Sequence, residues 1–356
     1  MGSDSTNLRR ANSSKGGMES HATSNATKRI LLTLTALFGL FLIWLFRPGD
    51  LPTGVALPTS LPKLDFSVKQ ADEAVRQAEL RAGPLKPDNR ARIIWNPDYR
   101  GQKAPCSMVY LHGFSASYGE GAPFHARTAR ELGCHLYVSR LHAHGLRNEE
   151  PLMDMHADSL LASAGRAIAI GGLLGEQVIL AGNSMGGTLA IHYAAMHPES
   201  VDMLILLAPM IHLKTPAARF FRKVWAHRLM QLVSGEPYIR YLPDSDDHAR
   251  YWYPWYRLDA LAPLREMQDV LLADDVYSRI TQPVFTGFYY RDNDHQDKVV
   301  SVAAIRELEE KLGTAAEKRE FMAFPDADAH VISSAYRSAG HQQVSDAVVQ
   351  FVRRQW

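Results

Sequence analysis

"QVILAGNSMGGTLAIHYAA", residues 177 to 195, decides the fold. Its first six residues form an apolar run of strand length, and a helical pattern resumes just past Ser184. A serine set among glycines where strand becomes helix implies a sharp turn. Backbone closes on backbone there, so the flanking side chains must be small. The turn lifts the serine out at the carboxyl end of a sheet, where open α/β folds bind ligands. The helix that starts beside it aims N–H groups at the same spot and favours negative charge there.

Strand and helix signals alternate on both sides of this stretch. Residues 68–83 predict a helix closed by Gly83, and 91–95 a short strand. Residues 107–113, "SMVYLHG", are continuously apolar up to a Gly turn, as a strand buried on both faces would be. A helix at 125–133, a strand at 135–141, a helix at 158–175 and the opening strand–turn–helix follow. The pattern continues with strands at 201–208, 282–290 and 319–324, and helices at 302–313 and 341–354. Such alternation predicts an α/β fold on a mostly parallel sheet with helices on both faces. Residues 209–280 interrupt it. They lack clear strands, carry "YWYPWYR" at 251–257, and are too long for a structureless loop, so a small helical cap is expected.

With 356 residues, 46% of them hydrophobic, the chain can bury a large core. Its 39 Lys and Arg against 38 Asp and Glu leave a charge of +1, so nothing in the composition suggests a nucleic-acid binder, which would show a basic excess gathered into patches. No CxxC or HExxH pattern occurs, and no metal or cofactor is expected. Cys106 and Cys134 each open a predicted strand and are expected to be free and buried, a disulfide arising only in an oxidising compartment.

The first sixty residues are of another kind. Residues 1–27 are polar and rich in Ser, Asn, Thr and Gly, and are expected to be a disordered tail. Gly2 with Thr6 fits a myristoylation pattern, which a match this short meets by chance. Ile30 to Phe46 carry no charge and as a helix would span about 25 Å. Residues 28–47 are therefore read as an uncleaved membrane anchor, with Trp44 at the interface, rather than a cleaved signal peptide. Arg9, Arg10, Lys15, Lys28 and Arg29 precede the span, whereas only Arg47 and Lys63 follow closely. The basic side stays cytoplasmic, so the tail is cytoplasmic and the body lies across the membrane. Residues 48–65, with four prolines, are expected to be a stiff stalk before a body over 66–356.

Gly182-Asn183-Ser184-Met185-Gly186 fits G-x-S-x-G in the strand–turn–helix setting of a nucleophile elbow. A serine nucleophile needs a base, and the base an orienting carboxylate, which this setting places later in the chain in the order acid, then His. The strand at 282–290 is followed by Asp292, Asp294 and Asp297. The strand at 319–324 is followed by His330, preferred over His341, which opens the terminal helix. Two backbone N–H groups are needed for the oxyanion. Met185 is one candidate, and Phe114, after the turn ending "VYLHG", is the other.

Over roughly residues 90 to 356 the sequence resembles the α/β-hydrolases, and within them the carboxylesterases and monoacylglycerol lipases. The resemblance rests on His112-Gly113-Phe114, on the elbow "GNSMGG", on Asp297-Lys298-Val299-Val300 and on Asp328-Ala329-His330. It implies ester hydrolysis through an acyl-enzyme, with a cap over the acyl pocket, and favours Asp297 as the acid. Ala143-His144-Gly145 departs from that branch's "GHG" loop, and Asn183 stands where it has His. Asn183 also resembles the elbow of carbon–carbon bond hydrolases. The expected function is a membrane-anchored serine hydrolase of medium-chain or acyl-lipid esters. The rivals are carbon–carbon or thioester hydrolysis or acyl transfer at the same triad, and a non-catalytic tethered binding module.

Overall fold

The computed structural model describes residues 15–51, 56–58, 60–273 and 275–356. In chain order the body runs α2 (Ala71–Arg81), β1 (Arg92–Ile94), β2 (Ala104–Leu111), α3 (Phe124–Leu132), β3 (His135–Val138), α4 (Ala157–Leu174), β4 (Gly175–Asn183), α5 (Met185–Met196) and β5 (Met203–Leu207). The cap contributes α6 (Val224–Ser234), β6 (Tyr238–Arg240), α7 (Asp246–Tyr251), β7 (Trp255–Arg257) and α8 (Ala262–Leu271). The body closes with β8 (Val284–Phe288), α9 (Val302–Lys311), β9 (Arg319–Ala323) and α10 (His341–Gln355), and an N-terminal helix α1 (Lys15–Leu45) precedes everything.

The seven-stranded sheet has the order β1-β3-β2-β4-β5-β8-β9, and only β1 pairs antiparallel. Alternate residues of each inner strand serve opposite faces. On β2 and β4, Val109, Leu111, Val178 and Leu180 pack under α2, α4, α5 and α8. Met108, Tyr110, Ile179 and Ala181 pack under α3 and α10. Burial on both faces is why these strands read as continuous apolar runs rather than alternating ones. α4 matches a membrane helix in length and hydropathy, yet more than half of it is covered by the sheet and its neighbours.

Four expectations meet a different outcome. Cys106 and Cys134 form a disulfide. In the β2–β3 pairing Ser107 lies opposite His135, which sets the two cysteines opposite one another with Cα atoms 4.7 Å apart. The cap is not purely helical, because β6 and β7 form a two-stranded antiparallel ribbon. Strands of three residues are too short to show an alternating pattern. α1 begins at Lys15, before the apolar run, since extending a formed helix is far easier than nucleating one. Residues 15–27, assigned to a disordered tail, are thus helical, while Gly2, Thr6, Arg9 and Arg10 lie outside the described residues. Finally, the region read as a stalk lies on the body. Leu51 N–H donates to Arg222 C=O at 2.7 Å, Val224 N–H to Gly49 C=O at 3.1 Å, and Leu61 and Leu64 pack on the core.

Candidate active site

The turn at Ser184 carries the strain its sequence implies. Ser184 has φ 51° and ψ −115°, far from the ordinary basins, as the N-cap of α5. Its N–H donates to Leu207 C=O on β5 at 2.9 Å, and its C=O accepts from Gly187 and Met210 at 2.9 and 3.0 Å. Two glycines make the turn possible. A Cβ on Gly182 would sit 2.4 Å from Gly186 O, and one on Gly186 would sit 2.1 Å from Leu111 O. Neither position has room for a side chain.

Asp297 and His330 meet beside this turn although 33 residues separate them. His330 Nδ1–H donates to Asp297 Oδ2 at 2.6 Å. The other carboxylate oxygen, Oδ1, accepts the Val299 and Val300 N–H groups at 2.7 and 3.0 Å. Asp297 has no solvent exposure. Burial raises its pKa, but the His330 charge and these hydrogen bonds outweigh that and hold the carboxyl below its ordinary value. For His330, burial works against the charged form, while the charge and hydrogen bond of Asp297 and the charge of Glu120 raise the pKa above its ordinary value. Its Nε2 is buried with no hydrogen-bond partner among the described residues and lines the same cavity as Ser184. A catalytic hydrogen bond that closes only once substrate is bound would leave it so.

The remaining sequence candidates separate cleanly. Asp292 and Asp294 are exposed, and Asp292 is engaged with His295 of its own loop. His341 opens α10, with Nδ1 on Ser338 C=O at 2.9 Å. Phe114 and Met185 flank the elbow, and among the described residues no hydrogen-bond acceptor is found for the Phe114 N–H. His112 fixes the plane of that peptide. Its Nε2 accepts Leu141 N–H at 3.0 Å, so Nδ1 carries the proton and donates to Gly113 C=O at 2.9 Å. Burial keeps the ring neutral, with a pKa down to about 4.

One buried acid escaped the sequence reading. Glu120 lies in a short 3-10 turn after β2 (Tyr118–Gly121), is 2% exposed, and lines the cavity with Ser184 and His330. Its Oε2 accepts Gly113 N–H at 2.7 Å and Tyr110 O–H at 3.2 Å. Burial pushes its pKa up to about 7, against the opposing pull of the Gly113 N–H, the His330 charge, Tyr110 and Asn183. A carboxyl raised from 4.5 favours the folded state while protonated, so its contribution is complete below the unfolded value and is lost as pH climbs through about 7. At about 1.4 kcal/mol per unit, the wild type should lose on the order of 3 kcal/mol relative to Glu120→Gln between about pH 5 and 8. Urea unfolding of both proteins across that range checks this, and parallel pH profiles would refute it.

The cavity over Ser184 measures about 600 Å³, the size of a small-ligand site. Phe114, Tyr241, Trp252 and Tyr256 supply its aromatic walls. Of the "YWYPWYR" stretch, Trp252 and Tyr256 face the cavity, whereas Tyr253 is packed in the core with its hydroxyl bonded to Leu146. Among the described residues no cluster of metal-ligating side chains occurs.

Sheet order, elbow and cap now permit comparison with known folds. A structure from work on the metagenome-derived lipolytic enzymes LipS and LipT aligns with TM-score 0.62 at 15% identity, over 76% of this chain and 99% of that one. The monoacylglycerol lipase of Paleococcus ferrophilus aligns with TM-score 0.53 at 15% identity, over 75% and 98%. Est1E from Butyrivibrio proteoclasticus gives 0.52 at 15%, over 76% and 97%. The chain has the α/β-hydrolase fold. The family described as serine aminopeptidase, S33, matches residues 108–260 of this chain, from β2 into the cap. That match stops short of Asp297 and His330. No curated protein matches this sequence.

Proposed function

We propose that the chain is a serine hydrolase acting on carboxylic esters, with Ser184 as nucleophile, His330 as general base and acid, and Asp297 as the group that orients and charges the imidazole. The observation that carries this is the His330–Asp297 hydrogen bond, formed at the cavity that also exposes Ser184. Ser184 Oγ adds to the ester carbonyl while its proton passes to His330 Nε2. The tetrahedral oxyanion is held by the N–H groups of Phe114 and Met185. Collapse expels the alcohol, which takes the proton from His330, and water repeats the sequence on the acyl-enzyme to release the acid.

An aromatic-walled cavity of this size suits medium acyl chains or single-chain lipid esters. Asn183, the letter shared with carbon–carbon bond hydrolases, is fully buried and does not line the cavity, so it supports no separate substrate class. A fluorophosphonate should label Ser184. Turnover should rise from acetyl to medium-chain p-nitrophenyl esters and exceed that of aminoacyl p-nitroanilides, and the reverse order would favour peptidase chemistry.

We also propose tethering to a membrane by Thr27–Leu45, with the N-terminus cytoplasmic and the body on the far side, where the disulfide is stable. The end of that helix contacts the cap. The Phe46 ring lies 5.9 Å from Trp225, the Arg228 guanidinium lies 4.8 Å over Trp44, and Asp50 pairs with Lys223 at 2.7 Å. Leu232 and Val233, exposed on α6, continue this apolar side. Deleting residues 1–47 should lower hydrolysis of vesicle-embedded monoacylglycerol by on the order of 100-fold through lost effective concentration, and leave p-nitrophenyl butyrate turnover unchanged. Equal activity of both forms on vesicles would remove the tether from the function.

A further inference from the structure

We propose that Glu120 is a positioning residue of the hydrolytic site, holding the oxyanion turn through the Gly113 N–H beside the cavity that Ser184 and His330 line. The inference rests on the Ser184–His330 reading above and adds a residue outside the triad and the oxyanion pair.

The geometry gives Glu120 two jobs. First, the peptide whose N–H is offered to the oxyanion, between Gly113 and Phe114, is pinned on both sides. Its C=O accepts from His112 Nδ1, and the preceding N–H, that of Gly113, is held by Glu120. A Cβ on Gly113 would sit 2.8 Å from Glu120 Oε1 and 3.2 Å from Ser184 Cβ, so carboxyl and nucleophile both lie close to the same glycine. Without the carboxylate, the Gly113 N–H is unpaired in a buried place and the turn is held from the His112 side alone. Second, Glu120 and His330 line one cavity and are both buried, so a charge on one acts on the other with less screening than at the surface.

Other groups also face Glu120. Tyr110 donates from β2 and is itself packed against His125 of α3, with ring centroids 5.3 Å apart. Asn183, at the end of β4, presents its amide beside the carboxyl and carries no charge. His330 comes from the loop after β9, and Asp297 stands behind it. Tyr110 and His125 are both held neutral by burial. Among these neighbours, His330 is therefore the partner that changes charge across the working range. An ionised Glu120 stabilises its imidazolium, so removing that charge lets His330 lose its proton at lower pH.

The test uses the full-length protein, a soluble p-nitrophenyl ester and a fluorophosphonate probe. Glu120→Ala should lower kcat about 100-fold at unchanged KM, because a displaced oxyanion donor is felt only in the transition state. Glu120→Gln still offers an acceptor to Gly113 and should recover most of that kcat. It should also shift the acid limb of kcat/KM to lower pH than in the wild type. A wild-type kcat in Glu120→Ala, or an unmoved acid limb in Glu120→Gln, would overturn the proposal. Should Glu120→Ala fail to fold, as thermal unfolding would reveal, the Glu120→Gln pH profile decides alone. Wild-type protein whose Ser184 resists the probe would instead overturn the functional reading itself, so the two failures are told apart.

Discussion

Ser184→Ala is expected to lower kcat on p-nitrophenyl esters by about 10⁶-fold, the scale reached when the serine of a hydrolytic triad is removed. The fold should survive. Alanine keeps the Cβ around which the turn at φ 51° is built, and the bonds that hold the turn are backbone bonds to Leu207, Gly187 and Met210. Thermal unfolding of the variant should therefore match the wild type within a few degrees while turnover falls to the level supported by the oxyanion donors alone. Folded Ser184→Ala protein with wild-type turnover would exclude the acyl-enzyme mechanism. Gly186→Ala is a useful contrast. Its Cβ would lie 2.1 Å from Leu111 O, so it should lose activity and stability together.

The difference between those variants follows from what the sequence could and could not display. The elbow was legible because steric exclusion at Gly182 and Gly186 acts within a few residues. The helix–strand alternation was legible because burial on both faces leaves long apolar runs. The D-x-V-V segment has a physical meaning as well. The Val299 and Val300 N–H groups fold back onto the Asp297 carboxylate, so spacing, rather than valine chemistry, makes that aspartate the fixed one. Asp292 accepts from Asp294 and His295 in a similar turn, but an exposed one, and only packing separates the two. The disulfide was hidden because it depends on the register of β2 against β3, a long-range fact. Glu120 was hidden for a related reason. A single acid in a Gly-rich loop gives no periodic signal, and its burial is created by Tyr110, Asn183 and the returning His330 loop.

Asp297→Asn should cost about 10⁴-fold in kcat with little loss of fold, the size expected when the orienting acid of a triad becomes an amide. The local hydrogen bonds dictate how the damage arises. Two backbone N–H donors, from Val299 and Val300, converge on Oδ1. In the amide only the oxygen can satisfy them, so the NH₂ group must take the place of Oδ2 and face His330 Nδ1. Donor would meet donor unless the imidazole gives up its Nδ1 proton. The neutral ring then carries its proton on Nε2, the atom that must accept from Ser184, and the base is lost without any atom moving far. Nitrogen-15 NMR of labelled His330 should report the exchanged tautomer in Asp297→Asn, alongside an unfolding temperature close to wild type. Asp292→Asn and Asp294→Asn lie on the exposed loop and should leave kcat within a factor of about two. A 10⁴-fold loss in either of those, or a wild-type tautomer in a still inactive Asp297→Asn, would reassign the acid.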